Sequence, residues 1–404
     1  MHLCFVTNEI GKVPSGVVTV LMELCREWSD TDRITVITNR YHWANEFLIE
    51  NLSDTTNITI APFPWLFASE LLYRTNKYNL PKWIQLPVKV LFRLLELFLA
   101  PAYIMRLTFF LRQNNFDGIL NHNGGWPGGE LNRWASLAAK LAGINKNFLV
   151  IHNTPVSYRS AVRPFNNMRD RLVGLSCGDI ITVSHACRKS LEVGTGFKRK
   201  LRVIYDGIDV TLPQLKQSDQ PPWPKKHLTI GFVGELHPRK GVHVLLDAVS
   251  RLTAPCEVVL VGNGDEEYTT QLKDLAGRYK WPAHFMGFRD DALELYRWLD
   301  IIVLPSLSFE SFGMVLLEAM LWSKPTICSN FGGMKEVVVH EETGLVVPAD
   351  DPEALAEALE RLIKDEPLRN QMGALGRKRL EAHFSAPVMV KNYENLFHGT
   401  EQAT

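Results

Sequence analysis

Short unbroken apolar runs alternate along the chain with stretches whose apolar residues recur every three or four positions. The runs Leu3–Thr7, Ile34–Thr38, Gly118–Asn121, Phe148–Ile151, Ile180–Val183 and Arg202–Tyr205 predict strands buried on both faces. Val17–Trp28 and Glu130–Leu141, lying between them, predict helices. A second series begins at Leu228–Val233 and continues through Glu257–Val261, His284–Met286, Asp300–Leu304 and Thr326–Cys328. Its helical stretches are Val242–Arg251, Glu266–Tyr279, Ala292–Leu299, Met314–Trp322 and Glu353–Lys364. Continuous apolar strands separated by helices predict parallel sheets covered on both faces. The periodicity lapses over Thr211–His227, which holds Pro213, Pro221, Pro222 and Pro224 and reads as a linker. The fold class is therefore α/β, with two doubly wound Rossmann-like domains facing a cleft. The expected boundaries are 1–210, a linker at 211–227, 228–383 and a tail at 384–404. Ligands bind such sheets at the carboxyl ends of their strands, so the cleft is the expected active site.

Residues 83–112 break the pattern. Arg93, Glu96, Pro101 and Arg106 interrupt a long apolar stretch, which argues against a membrane-spanning helix. Lys82, Lys89, Arg93, Arg106 and Arg112 stand beside Trp83, Phe92, Phe98, Phe109 and Phe110. That mixture suits a helix lying in a lipid headgroup layer, and the other reading is a long core helix over the first sheet.

Composition adds a little. The chain has 404 residues and equal numbers of basic and acidic side chains, 44 each. Residues 1–210 carry 24 Lys+Arg against 17 Asp+Glu, leaving 20 against 27 for the remainder. The basic excess is too small to argue for nucleic acid. Cys4, Cys25, Cys177, Cys187, Cys256 and Cys328 include no CxxC pair and read as buried free thiols of a reducing compartment. Met1–Thr7 reads as a first strand rather than a leader. The expected location is the cytoplasm, peripheral on the inner face of the membrane.

The strongest chemical signal is Glu310 and Glu318, flanking the turn from the strand Ile301–Leu304 into the helix that follows Gly313. The amides of Gly313, Met314 and Val315 at that helix tip favour a phosphate. A carboxylate on either side can hold hydroxyls, which is the layout needed to grip a sugar nucleotide.

Glu310 and Glu318, with seven residues between them, resemble the EX7E signature of family 4 retaining glycosyltransferases with the GT-B fold. Several neighbouring segments match too: Gly231-Phe232-Val233-Gly234 with Pro238-Arg239-Lys240-Gly241, Lys324-Pro325-Thr326, Phe331-Gly332-Gly333-Met334-Lys335-Glu336, Gly344–Pro348 and Asp206-Gly207-Ile208-Asp209. The resemblance is dense over 200–365 and thin over 1–200. It implies that Glu318 accepts from the nucleotide ribose, that Glu310 holds donor-sugar hydroxyls, and that Lys240, helped by Arg239, neutralises the departing diphosphate. It implies that Gly16, in Pro14-Ser15-Gly16, lets backbone approach the diphosphate, and that His152 contacts the donor sugar, with His122 as its rival. It also implies a tail helix returning to the first domain, which docks the acceptor. Where the family commonly has an arginine this chain has Glu235, so Glu235 and His122 are acceptor-side candidates.

Asp30-Thr31-Asp32 has the letters of a metal clamp but sits on the wrong edge of the sheet, and no zinc spacing occurs, so no metal is expected. Gly262-Asn263-Gly264-Asp265 is half a dinucleotide fingerprint. The resemblance implies a retaining front-face transfer of a hexose from a UDP-sugar, or GDP-mannose, to a lipid-linked glycan or glycolipid in cell-surface polysaccharide biosynthesis. A soluble acceptor, a sugar-nucleotide epimerase and a non-catalytic sugar-nucleotide binder are the alternatives.

Overall fold

The computed structural model describes residues 1–8, 16–39, 44–52, 55–63, 82–126, 128, 130–154, 163–197, 201–212, 220–308 and 310–400. It divides into two compact units, Met1–Tyr205 with Val390–Thr404, and Asp206–Met389. The first unit is built on β1 (His2–Thr7), β2 (Arg33–Asn39), β3 (Ile58–Phe63), β4 (Gly118–Asn123), β5 (Lys146–Ile151), β6 (Asp179–Thr182) and β7 (Leu201–Val203). Its sheet runs β3-β2-β1-β4-β5-β6-β7, with adjacent strands parallel. Strand order therefore reverses between β1 and β4, where doubly wound sheets take their ligands. β3 has no counterpart among the expected strands. As an edge strand it is only partly buried and carries Pro62, which an edge tolerates, so it lacks an unbroken apolar run.

The second unit repeats the winding. β8 (Leu228–Val233), β9 (Cys256–Val261), β10 (Ala283–Gly287), β11 (Ile301–Leu304), β12 (Thr326–Ser329) and β13 (Gly344–Val347) form a parallel sheet in the order β10-β9-β8-β11-β12-β13. The strands expected here are present within a residue or two of their predicted ends. The helical stretch Ala292–Leu299 is split into a turn of α-helix, Ala292–Leu295, and a 3₁₀ turn, Tyr296–Trp298.

The division between units falls at Tyr205/Asp206 and Met389/Val390, not within the linker expected at 211–227. Ile208 bridges to Ser385, and the Arg377 guanidinium donates to the Val210 carbonyl at 2.6 Å. Residues 213–219 lie outside the described residues. Beyond them Trp223 is buried in the core of the second unit, Lys225 pairs with Asp300 at 2.9 Å, and the Glu257 carboxylate accepts from the backbone of Lys226 and His227. Prolines broke the periodicity, but one tryptophan and a buried carboxylate tie this stretch to the sheet. The tail helix Ala386–His398 places Phe397 against Trp28 and Phe148 of the first unit, with ring centroids 5.8 and 5.0 Å apart.

The helix Lys82–Gln113 is apolar on two sides. Ala100, Ile104, Leu107 and Leu111 join Leu131, Ala135, Ala138 and Ala139 of the helix Glu130–Ala142 in the core. Leu91, Leu95, Phe98, Met105 and Phe109 recur at helical spacing on an exposed side, with Phe98 82% and Phe109 62% exposed. The core-helix reading thus describes one side of this element and leaves an apolar strip on another. The side chains of Lys82, Trp83, Lys89, Phe92 and Arg93 lie outside the described residues. Among the described residues, no helix is long and apolar enough to cross a membrane.

Candidate functional site

In the second unit, the loops after β8 and β11 are locked together at Gly241. Its φ of 69° is in the left-handed region, and a Cβ there would sit 2.0 Å from the Pro305 carbonyl oxygen. Leu307 N–H donates to the Arg239 carbonyl at 2.8 Å. The 3₁₀ turn Pro238–Lys240 is capped by the His237 ring, which accepts from Arg239 N–H at 3.1 Å. This framework puts Lys240 Nζ 2.5 Å from Glu310 Oε2, with both side chains largely shielded. Ser306 Oγ donates to the same oxygen at 3.4 Å. The Arg239 guanidinium lies 3.0 Å from Glu235 and 4.0 Å from Glu310. Glu235, the acceptor-side candidate, is thus paired with Arg239. Two cations and two carboxylates form a nearly neutral cluster in which each acid is a counter-ion. Glu310 is fixed from beneath by its own carbonyl, which accepts from Gly333 N–H at 2.8 Å. Its neighbour Phe309 lies outside the described residues.

Three residues past Glu310 the chain turns into the helix Met314–Leu321 through Gly313, whose φ is 95°. Among the described residues, no side chain caps this helix. The positive end of its dipole and the first-turn amides of Met314 and Val315 are therefore offered to an external acceptor. One turn further, Glu318 Oε2 accepts from Tyr296 O–H at 2.7 Å. Burial pushes the Glu318 carboxyl up from its ordinary pKa, and the Tyr296 hydrogen bond opposes that rise. Tyr296 is fully buried and its own pKa is raised well above the ordinary range, first by burial and then by the Glu318 charge, so it stays a donor.

The first unit holds the two histidines. β4 and β5 are adjacent and parallel, with His122 opposite Val150. His152, two residues beyond Val150, is therefore on the same face as His122. The two Nε2 atoms are 2.8 Å apart and the ring centroids 4.3 Å apart. Both rings are buried, His122 completely. The rivals of the sequence reading are one unit. Gly16 is the first residue of the helix Gly16–Glu27 behind β1, while Pro14, Ser15 and Pro155 lie outside the described residues.

Tyr296 and Ser306 were not found from the sequence. Tyr296 sits in an unremarkable helical pattern, and the only available signal was that a buried tyrosine hydroxyl needs a partner. Asp32 of the apparent metal clamp is buried and accepts from Trp28 Nε1 at 3.0 Å, a structural role. Asp265 of the partial dinucleotide motif caps the helix Glu266–Ala276 through the amides of Glu267 and Tyr268. Asn263 Oδ1 accepts from Phe288 N–H at 2.9 Å, which fixes the turn at Met286-Gly287-Phe288. All six cysteines are buried and free.

Residues 14–212 match the model of Glycosyltransferase Family 4, and residues 213–379 match that of Glycosyl transferases group 1. The chain belongs to the glycosyltransferases that combine these two domains. A phosphatidyl-myo-inositol mannosyltransferase of Mycobacterium leprae is 29% identical over 312 residues, 74% of this chain and 78% of the relative. The D-rhamnosyltransferase WbpZ of Pseudomonas aeruginosa is 29% identical over 279 residues, 66% and 70% of the two chains. The crystal structure of Anabaena HepE in complex with UDP and glucose has the same fold, with a TM-score of 0.72 at 18% identity, covering 99% of this chain and all of that one.

Proposed function

We propose that this glycosyltransferase moves a hexose from a nucleoside diphosphate sugar, with retention, to a hydroxyl of a lipid-linked glycan or glycolipid in cell-surface polysaccharide biosynthesis. The observation that carries the reading is the Lys240–Glu310 pair beside the uncapped helix tip at Gly313. Without a ligand the carboxylates neutralise Lys240 and Arg239. A diphosphate seated on the Met314 and Val315 amides takes over those cations, and Glu310 is released to hold sugar hydroxyls. Glu318, held by Tyr296, accepts from the ribose. His152 contacts the donor sugar, and Gly16 marks a close backbone approach to the diphosphate.

The chemistry balances without a base from the chain. The acceptor oxygen bonds to the anomeric carbon on the face from which the diphosphate departs. The bond from that carbon to the phosphate oxygen breaks, and the acceptor's proton passes to the leaving diphosphate. Lys240, Arg239 and the helix tip stabilise the charge that develops on it. A UDP-sugar is the first choice of donor, since HepE was crystallised with UDP and glucose, and GDP-mannose is the second. The exposed apolar strip on the helix Lys82–Gln113 supports an acceptor presented at a lipid surface.

The test is transfer of labelled sugar from a panel of UDP-sugars and GDP-mannose to lipid-linked and soluble glycan acceptors. Label appearing in the lipid fraction, and lost with Glu310→Ala, is expected. Donor consumption without any acceptor would indicate an epimerase, and tight donor binding without turnover a sugar-nucleotide sensor.

A further inference from the structure

The two buried histidines of the first unit constrain one another, because their facing Nε2 atoms are 2.8 Å apart and only one of them can carry the shared proton. Burial and the neighbouring ring hold His122 well below its ordinary pKa, so it is neutral and carries one proton. If that proton were on Nδ1, a fully buried N–H would have no acceptor, because His122 Nδ1 has no hydrogen-bond partner among the described residues. If it is on Nε2, the unpaired atom at Nδ1 is a bare lone pair, and His122 Nε2–H donates to His152. An orphaned buried N–H is the rarer and costlier defect.

We infer that His122 is a positioning residue that fixes His152 as the Nδ1–H tautomer, which makes His152 a hydrogen-bond donor and removes it as a base. The geometry leaves His152 no free lone pair, since Nε2 accepts from His122 and Nδ1 carries the ring proton. The neighbouring groups favour this arrangement over a slip of the strands. Asn132 Nδ2 donates to the His122 carbonyl at 3.0 Å and to Asn121 Oδ1 at 2.7 Å, and His152 N–H donates to the Asn123 carbonyl at 3.1 Å. The backbone on both sides of the pair is therefore pinned. Under the functional reading above, on which this inference rests, His152 meets the donor sugar as a neutral ring with no basic nitrogen. The acceptor's proton then has no histidine to go to and leaves with the diphosphate.

The test is nitrogen-15 NMR of the full chain with labelled histidine side chains, the two residues assigned from His122→Phe and His152→Phe spectra. The expected result is a protonated Nδ1 and an unprotonated Nε2 for His152, with the reverse for His122. A protonated Nε2 on His152, or a doubly protonated ring at neutral pH, overturns the inference. In transfer assays His122→Phe should lower kcat roughly ten- to hundredfold, the usual cost of losing the partner that orients a functional histidine. His122→Gln keeps an N–H at the Nε2 position and should restore most of that loss, whereas equal defects in the two variants would count against a donor role. The spectra report tautomers whether or not sugar is transferred. Expected tautomers in a protein that transfers nothing would uphold this inference and sink the functional reading.

Discussion

Lys240 and Glu310 form a tight ion pair whose loss should separate folding from activity. The pair is largely shielded but not sealed from solvent, so its contribution to stability is modest. In the proposed reaction its worth is larger, because charge on a departing diphosphate would be stabilised by preorganised partners. Glu310→Ala and Lys240→Ala should each reduce kcat about 10²–10³-fold with little change in thermal midpoint. Unchanged turnover in either variant would remove the residue from the site. Glu318 makes a prediction about pH. Burial raises its folded-state pKa, so between its ordinary pKa and the raised value the folded protein binds more protons than the unfolded one. Stability of the ligand-free protein therefore falls as pH rises through that window, and Glu318→Gln should flatten the slope. Removing the opposing hydrogen bond with Tyr296→Phe should move the window upward, and donor affinity should then weaken at a higher pH than in the parent. Denaturant titrations and donor binding across pH check both. The two glutamates were visible in the sequence through their spacing. Tyr296 and the His122–His152 pairing were not, because both depend on which strands and helices become neighbours.

The loop carrying Lys240 is set by Gly241, where both the left-handed φ and the Pro305 carbonyl exclude a side chain. Gly241→Ala should shift Lys240 away from Glu310 and weaken donor binding, measured by calorimetry, while the sheet below stays intact. The tail helix is the second element under test. Phe397 is fully buried against Trp28 and Phe148, so Phe397→Ala should cost the first unit about 3–5 kcal/mol in denaturant unfolding. Central strands such as β1, β8 and β11 were legible because burial on both faces writes an unbroken apolar run. β3 was missed because an edge strand is only half covered, and β13 was noted only within the matching segment Gly344–Pro348, not as a strand. The helix Lys82–Gln113 stood out by composition, but which side met the core depended on packing with Glu130–Ala142.

For the whole molecule, alternation of strands and helices sufficed to show two wound α/β sheets, and the dense motifs of the second half gave its family. The boundary was the weak point. Proline content marked Thr211–His227, yet Trp223 and Glu257 tie its latter part to the second unit, and Val390–Thr404 groups with the first. The proposed contact with lipid is tested on the full chain. The chain should float with vesicles containing anionic lipid, and the Phe98→Glu/Phe109→Glu variant should remain in the dense fraction with unchanged secondary structure. Flotation of that variant equal to the parent would detach the apolar strip from lipid binding. The central claim is that a diphosphate rests on the helix tip at Gly313 between two acids and two cations. A crystal structure of the full chain with a nucleoside diphosphate sugar tests it most directly. The account predicts phosphate oxygens within hydrogen-bond distance of the Met314 and Val315 amides and of Lys240 Nζ, with Glu318 on the ribose and Glu310 on the sugar. A diphosphate bound elsewhere, with the Lys240–Glu310 pair undisturbed, would contradict it.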